Sequence, residues 1–501
     1  MRGVVAAGHP LTARVGADVL RDGGNAVDAA VGAVLASFAL ESPLTGFGAG
    51  GFMMVHRRGE TVLLDFFVAA PGKDGIERGA ELAPAEVHFD AETVQTFYVG
   101  PASCGVPGTA AGLELALERF GSVPLEELVG PAITLAREGA AVNAEQAYIL
   151  DILAPIHERL PGTRELYAPE GRTLREGQTL RFPELAEALE RFGAEGAEPF
   201  YRGEVAAALS EYTLGGGGTL GPGDLATYEA IERRPMRMPF RGTEVLTNPP
   251  PSSGGILIAF SLGLLERLGS RNGPEQLIAA MGAANGRRGE EFARALYGEG
   301  LASSLLDPAA LELAAADLLG STTHICALDA EGMCASVTCS NGSGSGVLVP
   351  GTGVILNNML GEEDLNPLGF HAISPGRRVP SMMAPTVVLR EGEIELGLGS
   401  AGSNRIRSAI LQTIVRALEE GMGPQEAVSA PRLHFEDGVL QAEPGIDEDA
   451  LLRLQARGVR VKRRPQINLY FGGCQAVARD RASGALSGGG DPRRGGAVAT
   501  G

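Results

Sequence analysis

The sequence lacks tryptophan altogether and contains only five cysteines among its 501 residues. No two cysteines form a C-x-x-C pair, and the seven histidines are scattered rather than spaced as metal ligands. We therefore expect neither a disulfide framework nor a zinc site. The thiols are predicted to be reduced and to lie in the core. The cysteines are Cys104, Cys326, Cys334, Cys339 and Cys474.

An excess of positive charge is also missing, since 42 Lys and Arg residues stand against 61 Asp and Glu residues, a net charge of −19. A surface this acidic repels nucleic acid and anionic membranes, so neither is expected as a partner. The longest uninterrupted apolar run, around 29–40, is too short to span a bilayer. No signal-peptide pattern is found at the start, and we expect a cytoplasmic protein.

Apolar residues, by contrast, are abundant enough for a large core, at 44% of the chain. The length predicts two or three domains or one large layered domain. Helical periodicity favours helices within 10–40, broken at 22–24, and across 109–145 and 182–215. Strands alternate with these helices in blocks, and 342–346 is predicted to be a mobile polar loop. Together these patterns indicate an α+β layered fold.

Residues 46–51 (GFGAGG) formally match the G-x-G-x-x-G pattern of dinucleotide-binding folds. That fold requires a strand before the glycines and a helix after them. Here an apparent helix precedes them, and predicted strands follow at 51–55 and 61–67. Because the order is reversed, we expect no cofactor and interpret the glycines as a loop that lets backbone segments pass closely.

A polar cluster, Ser321-Thr322-Thr323-His324, opens a predicted β-hairpin and follows a predicted helix at 309–319. If the peptide bond before Thr322 were cut, its hydroxyl would have a free α-amine on the same residue to act as a base. The plainer interpretation is a strand-edge threonine with high β-propensity. The local pattern alone favours the plainer interpretation.

The hairpin and several further motifs closely resemble those of the γ-glutamyltransferases, which are N-terminal-nucleophile (Ntn) hydrolases. The similar segments keep the family's order and run from about residue 3 to residue 493. They are 23–30 (GGNAVDAA), 106–109 (VPGT), 249–255 (PPPSSGG), 350–358 (PGTGVILNN), 384–386 (APT) and 489–493 (GGDPR). No single segment is specific enough to indicate the family, but the whole set in this order is.

The resemblance implies a four-layer αββα Ntn-hydrolase sandwich, where the residue pattern alone supports only a layered α+β fold. It also implies that the precursor cuts itself between Ser321 and Thr322. Residues 1–321 would then form a large-subunit region and 322–501 a small-subunit region. The two fragments are expected to stay associated, and such pairs are expected to be able to dimerise.

The resemblance makes Thr322 the catalytic nucleophile. Ser340 stands where the family has a second threonine that contacts the amine of the nucleophile, so a hydroxyl is kept. Gly402 and Ser403 match paired glycines whose backbone N–H groups form an oxyanion hole. From the pattern alone, a plain turn before a helix explains these two residues equally well.

The resemblance also assigns substrate contacts. Ser381 matches the first of two serines that hold the α-carboxylate of the substrate, and Met382 replaces the second. Glu362 falls near the aspartate that pairs with the substrate α-amine, although Glu363 or Asp364 could serve instead. A carboxylate is kept in each case.

One departure concerns the arginine that clamps the γ-glutamyl carboxylate upstream of 70–71, where this chain has Phe67. A bidentate Arg–carboxylate pair is strong and specific in geometry, so its loss predicts altered glutamyl recognition. Gly342, where the family tends to have asparagine, weakens the polar network further. We expect a less polar acyl donor, or one held by another cation such as Arg405 or Arg378.

The function implied is that of a self-processing N-terminal-threonine acyltransferase or hydrolase of γ-glutamyl amides such as glutathione. One alternative is an amide hydrolase of altered acyl specificity, similar to cephalosporin acylases, and another is a non-catalytic relative. A serine hydrolase is not expected, because no G-x-S-x-G nucleophile elbow is present.

Overall fold

The computed structural model describes residues 1–89, 94–269, 273–298, 300–301 and 322–501. The strands are β1 Gly3–Ala7, β2 Gly50–Arg57, β3 Glu60–Phe66, β4 Ala83–His88, β5 Val94–Val99, β6 Ala140–Ala141, β7 Thr179–Leu180, β8 Ile231–Arg233, β9 Met236–Phe240, β10 Thr243–Thr247, β11 Thr323–Asp329, β12 Cys334–Ser340, β13 Leu348–Val349, β14 Val354–Ile355, β15 Thr386–Arg390, β16 Glu393–Ala401, β17 Leu433–Glu436, β18 Val439–Ala442, β19 Arg460–Arg463, β20 Gly473–Arg479, β21 Leu486–Gly489 and β22 Ala497–Thr500. The helices are α1 Pro10–Arg21, α2 Ala26–Leu40, α3 Thr109–Phe120, α4 Leu125–Leu128, α5 Gly130–Glu138, α6 Ala144–Ile152, α7 Ala154–His157, α8 Pro161–Tyr167, α9 Pro183–Glu195, α10 Glu198–Tyr201, α11 Glu204–Gly215, α12 Pro222–Ala226, α13 Ser253–Leu268, α14 Pro274–Asn285, α15 Glu290–Ala295, α16 Arg405–Glu419, α17 Pro424–Ser429 and α18 Glu448–Ala456.

Two large antiparallel sheets form the centre of the described chain. The first has seven strands in the order β22-β1-β11-β12-β2-β3-β8. The second has six, in the order β21-β20-β16-β15-β10-β9. The hairpin β11–β12 lies in the middle of the first sheet and faces β16 and β20 of the second. Each sheet therefore contains strands from both sides of Thr322.

Side chains alternate along β11 between two separate cores. Ile325 and Ala327 belong to the core between the first sheet and the helices α2, α3, α5 and α9. Cys326 and Leu328 point the other way, into the core that the two sheets share and that continues to α13, α14 and α16. Successive strand residues point to opposite faces, so a strand buried on both sides reads as a continuous apolar run. The arrangement is helix, sheet, sheet, helix, which confirms the predicted αββα sandwich.

Helix α2 is buried along its whole length, as its alanine-rich sequence predicts. Asn25 caps its first turn by accepting hydrogen bonds from the amides of Val27 and Asp28, and the Asp28 side chain accepts one from the Asn25 amide. This reciprocal capping satisfies amides that the helix itself cannot pair. The break predicted at 22–24 separates α1 from α2.

Most of the other predicted elements are present, including the strands around the glycine loop at 46–51. All five cysteines are buried and free, as predicted. The loop at 342–346, predicted to be mobile, is instead fully buried, because Ser343 and Ser345 hydrogen-bond to Glu362 and to the carbonyl of Leu356. The predicted helix at 309–319 lies outside the described residues. In the described part of the chain, no helix combines the length and the hydropathy that crossing a membrane requires.

Candidate active site

Thr322 directly precedes β11 and is almost completely buried, with 4% of its surface exposed. Its Oγ1 donates a 3.5 Å hydrogen bond to Ser340 Oγ at the end of the neighbouring strand β12. The Thr322 carbonyl accepts a 3.1 Å hydrogen bond from Arg494 Nη1. Pairing of β11 with β12 thus places the predicted nucleophile and its predicted supporting hydroxyl side by side. Ser321, the other side of the predicted cleavage point, lies outside the described residues.

The turn after Ser340 explains why residue 342 is glycine. Gly342 has φ +66°, and its amide donates a 2.8 Å hydrogen bond to Ser340 Oγ. A Cβ at this position would lie 2.2 Å from Asn358 Oδ1 and 2.5 Å from Glu362 Oε1. The side chain of Glu362 therefore occupies the space that a longer residue 342 would need.

Glu362 and Asp364 form a buried acidic pair. Glu362 Oε1 accepts hydrogen bonds from the amide (2.8 Å) and the hydroxyl (3.2 Å) of Ser343. Asp364 Oδ2 accepts a 2.6 Å hydrogen bond from Ser403 Oγ. Burial raises the pKa of both carboxyl groups, and the nearby Asp364 charge adds to the rise at Glu362, whereas the Arg405 charge opposes both shifts. Glu363, the third carboxylate considered from the sequence, is exposed.

Gly402 and Ser403 connect the end of β16 to α16, and both have positive φ, +118° and +51°. A Cβ on Gly402 would lie 2.8 Å from the Cα of Gly472, so glycine is required there. A left-handed conformation is unfavourable for serine, and the hydrogen bond from Ser403 Oγ to Asp364 stabilises it. Within the described residues, the N–H groups of Gly402 and Ser403 donate no hydrogen bond. An oxyanion hole needs donors of this kind.

Ser381 and Met382 are held by the N-terminus of α13, which the segment 249–255 builds. The amides of Ser253 and Gly254 donate hydrogen bonds of 2.8 and 3.0 Å to the Ser381 carbonyl. A Cβ on Gly254 would lie 2.0 Å from the Met382 carbonyl oxygen, so the close approach requires glycine. Ser381 Oγ accepts a 3.1 Å hydrogen bond from the amide of Met383.

Phe67 is buried and stacks on Phe52, with ring centroids 5.3 Å apart and an interplanar angle of 19°. Arg378, considered from the sequence as an alternative cation, donates from its Nε to Asp65 Oδ1 at 3.1 Å. The Nε of Arg405 donates to the Tyr470 carbonyl at 2.8 Å, and its guanidinium lies over the Tyr470 ring. Neither arginine lines the pocket that contains Phe67.

A pocket of about 270 Å³, which we call the Thr322 pocket, brings most of these residues together. It is lined by Phe67, Thr322, Ser340, Met359, Glu362, Asp364, Leu365, Ser381, Met382, Met383, Ser403 and Ile406. Of the residues predicted from sequence, Gly402 is not among those lining it. Sequence reasoning missed the apolar residues Met359, Leu365, Met383 and Ile406, for which the sequence carried no signal beyond general hydrophobicity.

Thr322 also borders a second, larger pocket of about 610 Å³, the Glu41 pocket. Glu41 accepts hydrogen bonds from Thr323 Oγ1 (2.6 Å) and Thr12 Oγ1 (3.1 Å), and burial raises its pKa. Arg494 lines this pocket too, and burial lowers its pKa to about 10. These contacts were not predicted, since no pattern links Arg494 to a residue 172 positions earlier.

Known proteins similar to this chain share both its fold and its length. The family model described as Gamma-glutamyltranspeptidase matches residues 12–501. The chain is 35% identical to the Acylase ACY 1 proenzyme of Pseudomonas sp. (strain V22), over 95% of this chain and 90% of that protein. It is 32% identical to the Glutathione hydrolase proenzyme of Escherichia coli (strain K12), over 98% and 90%. The crystal structure of cephalosporin acylase from Bacillus halodurans superposes with a TM-score of 0.84 at 26% identity, covering 100% of this chain and 96% of that one. The chain belongs to the γ-glutamyltranspeptidase family.

Proposed function

We propose that the chain is a self-processing N-terminal-threonine enzyme that cleaves or transfers acyl groups of amides. The observation that carries the proposal is the Thr322 pocket, where Thr322 and Ser340 meet Glu362, Ser381 and Ser403 from distant parts of the sequence. Membership of a family whose similar members are named proenzymes supports the self-processing step. On this proposal, residues 1–321 become the large fragment and 322–501 the small one.

Self-processing would use the same hydroxyl as catalysis. Thr322 Oγ attacks the carbonyl carbon of Ser321, an ester C–O bond forms, and the peptide C–N bond breaks to release the Thr322 amine. Water then hydrolyses the ester, which gives a carboxylate on Ser321 and restores the hydroxyl. The product has a free α-amine beside Oγ, the arrangement that turns a poor nucleophile into an active one.

In the amide reaction, the Thr322 amine would take the hydroxyl proton while Oγ attacks the substrate carbonyl. The N–H groups of Gly402 and Ser403, which have no acceptor within the described residues, are suited to donate to the oxyanion. The amine then returns the proton to the leaving nitrogen as the C–N bond breaks. Water gives hydrolysis of the resulting acyl ester, and an acceptor amine gives transfer.

γ-Glutamyl amides such as glutathione are the first candidate donors, because the family and the glutathione hydrolase relatives favour them. The second candidate function is that of an acylase, whose donor would be an amide with a different acyl group. It is favoured by Phe67 and Met382, which line the Thr322 pocket with apolar surface, and by the acylase relatives. Expression in the cytoplasm and dimerisation stay predictions.

The first test is whether the chain cuts itself. We expect the purified wild-type protein to give two fragments on a denaturing gel, the smaller beginning at Thr322. Thr322→Ala should stay a single chain because it has no hydroxyl, whereas Thr322→Ser, the matched control, should still be cut. N-terminal sequencing identifies the bond. A wild-type protein that stays intact on prolonged incubation, or a Thr322→Ala variant cut at the same bond, contradicts the proposal.

A further inference from the structure

The charged groups lining the Thr322 pocket have one sign only. Glu362 and Asp364 line it, and in the part of the chain that the structure describes no Arg, Lys or His does. The remaining lining consists of hydroxyl groups and apolar side chains, among them Phe67 and Met382. A carboxylate placed in this pocket would face two acidic groups without a lining cation.

One buried oxygen of this acidic pair has no hydrogen-bond partner among the described residues. Asp364 Oδ2 accepts from Ser403 and Glu362 Oε1 from Ser343, but Asp364 Oδ1 is buried without a hydrogen bond in the described residues. A buried acceptor that is left unpaired costs free energy, so such a group points to a ligand that donates. An ammonium group supplies three donors and the complementary charge.

Cationic groups that would pair with a carboxylate are absent from the lining among the described residues, and Ser381 offers it only a neutral hydroxyl. Phe67 stacks on Phe52, and Met382 Sδ accepts a hydrogen bond from Ser253. Arg378 is paired with Asp65. The Arg405 guanidinium lies over the Tyr470 ring and does not line the pocket, although its charge lowers the pKa of both carboxyl groups.

We propose that the preferred acyl group carries a cationic amine and no α-carboxylate, as in a 4-aminobutyryl amide. This inference rests on the proposed function, and it fixes the acyl class for the same reaction at Thr322. The ammonium group binds between Asp364 Oδ1 and Glu362, and the methylene chain contacts Phe67 and Met382. The acyl carbon forms a bond to Thr322 Oγ and the amide C–N bond breaks. The leaving nitrogen takes the proton that the Thr322 hydroxyl gave up.

Four anilides of similar chain length separate the two charges. They are the γ-glutamyl (amine and carboxylate), 4-aminobutyryl (amine only), glutaryl (carboxylate only) and butyryl (neither) anilides. We expect the 4-aminobutyryl anilide to have a kcat/KM about tenfold or more above each of the others, the range of one charge-assisted hydrogen bond. A γ-glutamyl or glutaryl preference overturns the inference and implies that a cation such as Arg405 reaches the substrate.

Binding measurements test the preference for an amine without a carboxylate independently of turnover. The matching amides are L-glutamine, 4-aminobutanamide, 4-carbamoylbutanoate and butanamide, titrated calorimetrically into the purified protein. We expect 4-aminobutanamide to bind most tightly, and Asp364→Asn and Glu362→Gln, which keep side-chain size, to remove that preference. Equal binding of all four overturns the inference. Preferred binding without turnover of any anilide supports the inference and contradicts the proposed function instead.

Discussion

Single residues decide the chemistry of the Thr322 pocket. The resemblance predicts that Phe67 stands in place of a guanidinium and Met382 in place of a hydroxyl, and in the structure both side chains line the pocket. Glu362 and Asp364 keep the acidic side of the site, and Ser403 hydrogen-bonds to Asp364 from a left-handed backbone conformation. Among the described residues, the pocket thus has an acidic side, and the rest of its lining consists of hydroxyl groups and apolar side chains.

The acidic pair predicts how binding depends on pH. Burial raises the pKa of Glu362 and of Asp364, and the positive charge of Arg405 partly opposes both shifts. At Asp364, the charge of Arg288 also opposes the rise, whereas the charge of Glu436 adds to it. An ammonium ligand binds the ionised form, so its affinity should increase as pH rises through the raised carboxyl pKa values. It should fall again only when the ligand amine deprotonates, near its ordinary pKa of about 10.

Calorimetric titration of 4-aminobutanamide from pH 5 to pH 9 measures this dependence, with uncharged butanamide as the control. Binding of the amine should release protons to the buffer, which is detected by repeating the titration in buffers of different ionisation enthalpy. A pH-independent affinity for 4-aminobutanamide would show that the pair does not contact the ammonium group.

At the scale of elements, the loop after β12 is part of the site rather than a flexible connection. Residues 342–346 are all buried. Ser343 donates to Glu362, and Ser345 donates to the Leu356 carbonyl. The glycines before, between and after these serines let the chain adopt positive φ at 342, 344 and 346.

Two glycines of this loop form a matched pair for a stability test. Gly342 and Gly344 both have positive φ, but an added Cβ collides with Asn358 and Glu362 only at position 342, and meets nothing within 4 Å at 344. We expect Gly342→Ala to lower the free energy of unfolding by about 1–3 kcal/mol more than Gly344→Ala, the range for overpacking. Each of the two substitutions should also cost about 1–2 kcal/mol for the left-handed backbone.

Urea unfolding of both variants, made in the Thr322→Ala background expected to remain one chain, measures the difference. If both variants lose the same free energy of unfolding, Glu362 and Asn358 can move away from a Cβ at position 342 without destabilising the protein.

At the scale of the whole molecule, the predicted cleavage point divides the sequence but not the fold. In the first sheet, β1 lies between β11 and β22, and β12 pairs with β2. In the second, β10 from the first part of the chain pairs with β15 from the last. Both halves share the two cores, so neither can leave without exposing a large apolar surface.

We therefore expect the cut protein to stay together. Size-exclusion chromatography of the processed wild type in native buffer should give one peak, at the elution volume of uncut Thr322→Ala. The two fragments should separate only in denaturant. A small fragment that elutes alone in native buffer would contradict the interleaved arrangement.

Three features follow from the amino-acid sequence alone: the layered fold, the central hairpin and the position of Thr322 at its entrance. These features depend on local patterns, such as the apolar-rich strand β11 and the mostly apolar helix α2, which predict burial on both faces. The order of the motifs supplied most of the predicted site, and Thr322, Ser340, Glu362, Ser381 and Ser403 line one pocket in the structure.

Two features depend on the folded chain: which of the neighbouring carboxylates point inward, and which groups line the pocket. Glu362 and Asp364 are buried while Glu363 between them is exposed, because the short 3-10 helix Glu363–Leu365 directs successive side chains to different sides. The Ser403–Asp364 bond spans 39 residues and the Arg494–Thr322 bond spans 172. Contacts over such distances arise from the packing of loops whose conformations no local periodicity specifies, so the chain has to be folded before they can be known.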